Sequence, residues 1–92
     1  MKTIKTVEIT PVYVEFMPEV MENEKLYISK EYECAIHLCL CGCKGKTVTP
    51  LTKGEWVLIE NGDKVSLTPS ISNYQMDCKS HYIITNNKAN FV

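Results

Sequence analysis

Three cysteines fall within five residues, Cys39, Cys41 and Cys43, in the run His37-Leu-Cys-Leu-Cys-Gly-Cys, and a fourth opens the run Cys78-Lys-Ser-His81. Thiolates and imidazole are the donors that a tetrahedral zinc ion takes. If the two loops meet in space, residue 78 returns to the side of residue 39 and the fold is built around a metal. Successive side chains of an extended segment alternate faces, so His37, Cys39, Cys41 and Cys43 can project the same way. Gly42 lets the backbone turn there and Gly45 closes the loop. The 34 residues between Cys43 and Cys78 leave room for hairpins that bring the second loop alongside the first.

The predicted metal site is Cys39, Cys41, Cys43, Cys78 and His81, one donor more than zinc normally takes. One arrangement uses Cys78, His81 and two of the three clustered thiols; the other uses four thiolates with His81 beside the metal. Left without a metal, three nearly adjacent thiols would be open to oxidation. His37 reads as a hydrogen-bonded histidine of a half-buried strand, and Cys34 as a small buried hydrophobe. The alternative cofactor is a Rieske-type [2Fe–2S] cluster, which takes two Cys and two His from adjacent loops of a small β domain. Cys78-x-x-His81 followed by Tyr82 suits its second loop. The first loop shows His-x-Cys where Cys-x-His is expected, so zinc is the better fit.

At 92 residues the chain is expected to be one domain, residues 1–92, near the small end of what a single core stabilises. A structural metal is a recognised staple at that size. The apolar share of 45% and charged share of 23% suit a globular fold rather than disorder. All ten basic residues are lysines, they are scattered, and the net charge is −1. That argues against nucleic acid, which calls for a basic patch and favours arginine forks. Met1 to Val14 alternates polar and apolar residues and lacks the apolar core of a signal peptide. No run approaches a membrane span. Five cysteines without a secretory signal point to a reducing, cytoplasmic setting, where thiols act as ligands rather than disulfides.

Glycine and proline divide the rest into short β-rich segments. Thr6–Phe16 alternates and is broken or bulged at Pro11, which offers no ladder N–H. Pro18–Lys25 reads as a loop or one helical turn. Lys25–Ser29 and Glu33–Leu38 form a strand pair about Lys30-Glu31. Further strands are expected at Lys46–Thr49, Glu55–Glu60, Lys64–Thr68, Tyr82–Thr85 and Ala89–Val92. Asn61-Gly62-Asp63 and Asn86-Asn87 are the turn signals, since these residues tolerate positive φ. The expected fold is mostly β: a small antiparallel sandwich or open barrel with a metal joining two loops at one end.

Catalytic patterns are sparse. There is no His-Glu-x-x-His helix and no zinc-deaminase pattern. With so many thiols the metal shell closes easily, which favours a structural ion over a catalytic one. Cys78 with His81 as base is the alternative enzyme reading, a hydrolase, although three residues apart in one turn is poor geometry for that pair. Trp56, Tyr74 and Tyr82 read as core or rim packing. Ser70 and Ser72, in extended turns about Thr68-Pro69-Ser70-Ile71, read as hydrogen-bond partners of backbone or ligand sulfur. The sequence therefore favours a zinc-stabilised interaction domain over an enzyme or an electron carrier.

Several motifs in this order carry a resemblance: Leu26-Tyr27-Ile28-Ser29, Ala35-Ile36-His37-Leu38-Cys39-Leu40-Cys41-Gly42-Cys43, Thr49-Pro50-Leu51, Trp56, Ser66-Leu67-Thr68-Pro69-Ser70-Ile71, Asn73, and Cys78-Lys79-Ser80-His81-Tyr82-Ile83-Ile84. Over roughly residues 12–92 the chain resembles a family of small bacterial proteins defined as a domain of unknown function. The departures are mild: Lys44 stands where glycine follows the third cysteine, Ser72 replaces a glycine, and Phe91 lies near a usual terminal tryptophan. The family's genes often neighbour those of bacterial ubiquitin-like proteins and their activating enzymes. The resemblance thus implies a protein partner, a ubiquitin-like protein or its activating enzyme, and an adaptor role in such a conjugation system.

Overall fold

A computed structural model describes residues 6–41, 45–72 and 80–91. Cys43, Tyr74 and Cys78 lie outside these residues. Nine strands run through them: β1 (Thr6–Glu8), β2 (Thr10–Tyr13), β3 (Lys25–Ser29), β4 (Cys34–Leu38), β5 (Lys46–Pro50), β6 (Val57–Asn61), β7 (Lys64–Ser72), β8 (His81–Thr85) and β9 (Lys88–Phe91). They form a five-stranded sheet in the order β1-β9-β8-β7-β6 and a four-stranded sheet in the order β2-β3-β4-β5. Packed face to face, the two make an all-β sandwich. No described helix is long and apolar enough to cross a membrane.

Alternation builds the core. Leu26 and Ile28 of β3 and Ala35 of β4 face Val65 and Leu67 of β7, Tyr82 and Ile84 of β8 and Ala89 of β9, all in one buried cluster. His37 shares the inward face of β4, where it pairs in register with Leu26 on one side and Thr47 on the other. Tyr27 and Ile36, of opposite parity, are buried on the outer face of the small sheet. There the Glu22 N–H donates to Tyr27 Oη at 3.0 Å, fastening the preceding segment over the strand.

Two features differ from the sequence expectation. The Thr6–Phe16 run is broken, as one expected alternative had it, but not at Pro11. It breaks at Ile9, whose side chain enters the core and whose N–H donates to the Asn87 carbonyl at 2.8 Å. β1 joins one sheet and β2 the other, so the chain turns a corner of the sandwich. Pro11 lies on the edge strand β2, where its missing donor is tolerated. The small sheet is also mixed, because β2 pairs with β3 in parallel. Residues 14–24 carry the chain back along the sheet, the kind of crossover that a parallel pair needs; they contain bends and a turn rather than a helical turn.

Both expected turns are present. Gly62, at φ 65°, starts the two-residue connection between β6 and β7. Asn86 and Asn87 both take positive φ, 48° and 65°, between β8 and β9. Two consecutive left-handed residues give the hairpin turn whose twist matches that of its strands. At the rim, Tyr13 donates to Glu60 Oε2 at 2.7 Å, and Lys30 lies 2.9 Å from Glu60 Oε1, linking the sheets.

Candidate catalytic dyad and thiol cluster

β7 is longer than its sequence suggests, and the extra length sets up the site. The expected strand ends at Thr68, but pairing with β8 continues through Ile71↔Tyr82 and Ser72↔His81. Between Leu67 and Ile71 the register shifts, across the cis Thr68–Pro69 peptide. A proline has no N–H to give the ladder, so an irregularity is the arrangement that lets the strand pass through it. Bulges of this kind re-aim neighbouring side chains. Here Ser70 turns towards the first residue of β8, and its Oγ lies 2.7 Å from His81 Nε2. Both residues are half-buried.

A serine hydroxyl at that distance from an imidazole is the nucleophile–base geometry of acyl-transfer enzymes. For such chemistry the hydroxyl donates and Nε2 accepts, which places the ring proton on Nδ1.

Cys39 and Cys41 lie just beyond the end of β4. Cys39 is 2% exposed and belongs to the core cluster, while Cys41 is half-buried in the following turn. Their sulfurs are 3.4 Å apart. That is far longer than a disulfide and close to the ~3.8 Å between ligands of a tetrahedral ion with ~2.3 Å bonds. The Cys39 N–H donates to the Gly45 carbonyl at 2.7 Å, so Gly45 closes the loop as expected, while Gly42 lies outside the described residues. Among the described residues no group of three or more metal-binding side chains comes together. Of the expected ligands, Cys43 and Cys78 are outside them, Cys39 and Cys41 come together, and His81 stands on β8 against Ser70.

His37 is the hydrogen-bonded core histidine expected of it. It is 1% exposed, and its Nε2 lies 2.6 Å from Tyr82 Oη. Burial pushes its pKa down to about 4, because the charged ring would lose its hydration. His37 Nδ1 and Trp56 Nε1 are buried without a hydrogen-bond partner among the described residues. Cys34 is half-buried on β4.

The family described as "bacterial ubiquitination-like system serine protease (BubE)" matches residues 13–92, a span that holds the thiol pair, Ser70 and His81. The chain belongs to the BubE family. That membership ties it to a bacterial ubiquitination-like system, the association that the motifs implied. No curated protein and no solved structure matches the chain.

Within this BubE-family chain, Ser70 is the functional candidate that sequence reasoning passed over. From the sequence alone it reads only as a hydrogen-bonding turn residue. A signal was present, since Ser70 and His81 both stand inside the quoted motifs. His81 follows Cys78 closely and so reads with the cysteines, and nothing in an 11-residue separation announces contact with Ser70.

Proposed function

We propose that this BubE-family chain is a serine protease of its ubiquitination-like system, with Ser70 as nucleophile and His81 as general base. The observation that carries the reading is the 2.7 Å contact between Ser70 Oγ and His81 Nε2. In the first step Ser70 Oγ bonds to the scissile carbonyl carbon while its proton passes to Nε2. The intermediate collapses, the C–N bond breaks, and Nε2 delivers that proton to the leaving amine. Water then repeats the sequence on the acyl ester, releasing the carboxylic acid and restoring Ser70.

The thiols take a separate, structural part in this proposal. Cys39, Cys41, Cys43 and Cys78 hold zinc, and the 3.4 Å spacing of the first two sulfurs suits that donor set. Zinc in such a shell supplies a tie between the loop after β4 and the residues that lead into His81. A neutral imidazole that ligates through Nδ1 keeps its proton on Nε2 and can only donate to Ser70. His81 can therefore be base or ligand, not both, and the serine contact favours the base.

Fluorophosphonate labelling tests the reading. The folded protein should be modified on Ser70, with labelling lost in Ser70→Ala and reduced at least about a hundredfold in His81→Gln. Folded, zinc-loaded protein that resists the reagent would favour the second reading, an adaptor that binds a ubiquitin-like protein or its activating enzyme. Visible absorbance with bound iron and sulfide would replace zinc by an iron–sulfur cluster.

A further inference from the structure

β7 spans nine residues and β6 five. Their pairing begins at Val57↔Thr68, so β6 runs alongside β7 only as far as Thr68. Upstream of Val57 the chain swings away: the Trp56 N–H donates to the Pro50 carbonyl and the Glu55 N–H to the Thr52 carbonyl, both at 3.0 Å. From Pro69 to Ser72, β7 is paired with β8 on one side. On the other side it has no strand partner among the described residues. Pro69 and Ser72 are exposed and Ser70 is half-buried, so this edge faces solvent. Where β6 leaves off there is a cavity of about 120 Å³ bounded by Gly54, Glu55, Trp56 and Pro69.

An open strand edge presents main-chain N–H and C=O groups spaced for another extended chain. This edge contains the proposed nucleophile. A cavity of that volume admits a side chain but no folded element, which suits an occupant that lies along the edge as extended polypeptide. We propose that the substrate binds as an added strand against Pro69–Ser72, in the line that β6 vacates, with its scissile carbonyl at Ser70 Oγ and a side chain between Trp56 and Pro69. The occupant is an extended, unfolded segment of a protein substrate, recognised chiefly through its backbone. This rests on Ser70 being the nucleophile.

Successive residues of a strand direct their backbone groups alternately towards and away from a given neighbour. Strand addition therefore predicts alternation in the substrate. The probes are N-acetyl-alanyl diphenyl phosphonate, its acetyl-tetraalanyl counterpart, and versions of the latter N-methylated at one amide each, compared with a peptide-free fluorophosphonate. The tetrapeptide should modify Ser70 at least tenfold faster than the single residue. Methylation should remove that gain at alternate amides and spare those between. Labelling by the fluorophosphonate with no gain from the longer peptide, or a gain that every methylation removes equally, overturns strand addition and leaves the dyad standing. Failure of all the reagents, the fluorophosphonate included, overturns the dyad and this inference together.

Discussion

Tyr82 Oη lies 2.6 Å from His37 Nε2 and joins the two sheets one residue along β8 from His81. Successive residues of a strand face opposite ways, so Tyr82 enters the core while His81 meets Ser70 elsewhere. The Tyr82 ring also packs against Phe91, with centroids 4.9 Å apart. Tyr82→Phe keeps that packing but leaves both nitrogens of a buried imidazole unpaired, because Nδ1 already lacks a partner among the described residues. We expect a loss of about 1–3 kcal/mol, the usual cost of an unsatisfied buried group. Urea unfolding should show a lower midpoint at unchanged slope. Fluorophosphonate labelling of the folded fraction should stay within a few-fold of the parent.

Asn87 ties two turns together. Its Oδ1 accepts the Val65 N–H at 2.8 Å, its own N–H donates to the Val65 carbonyl at 2.9 Å, and its Nδ2 donates to the Asp63 carbonyl at 3.3 Å. Asn87→Ala places a methyl side chain at φ 65° and removes the acceptor for Val65. The expected cost is about 2 kcal/mol. Asn87→Gly relieves only the backbone part and should recover roughly half, read from the same unfolding curves.

Tyr13 at the sandwich rim has its pKa pushed up to about 12, by burial first and then by its hydrogen bond to the Glu60 carboxylate. A raised folded-state pKa means that the phenol's contribution is complete below pH ~10 and is lost as pH rises towards 12. Absorbance titration should lose a late-titrating tyrosine in Tyr13→Phe, whose stability should fall less over that window. The rim pair is well exposed, so solvent screening keeps the effect small.

These three sites differ in how far the sequence exposed them. The Asn86-Asn87 turn was legible because positive φ is a local demand that asparagine meets. Strands β3, β4, β7 and β8 were legible in outline from their β-branched and aromatic runs. The parallel partnership of β2 and β3 was not, since a strand's own residues do not reveal the direction of its neighbour. Nor was the Ser70–His81 contact. It depends on an irregularity that carries β7 past Pro69, and Ser-Pro-rich residues between apolar runs look like a turn until β8 is seen to pair with them. The clustered thiols stand out in the sequence because their spacing is local, whereas a Ser–His contact is tertiary.

His81 separates the two accounts of the metal. If four thiolates hold zinc, His81→Ala should retain one zinc per chain by elemental analysis while losing fluorophosphonate labelling by a hundredfold or more. Cys78→Ala should lose the metal. Zinc falling in parallel in both variants would make His81 a ligand, and Ser70 would then lack its base.

Chelation tests the proposed zinc. A small sandwich tied by zinc between distant loops gains much of its stability from the metal, since binding free energy becomes folding free energy. Stripping zinc should lower Tm by more than about 10 °C, where 1 kcal/mol corresponds to roughly 4–8 °C in a domain of this size. Labelling of Ser70 should fall with the fold, because Cys78 leads within three residues to His81. Restoring zinc should restore both. Cobalt in its place should support labelling within a few-fold of the zinc rate, since a four-thiolate ion leaves no position for water or substrate. A cobalt rate that departs by tenfold or more from the zinc rate at equal stability would instead put the metal on the reaction path.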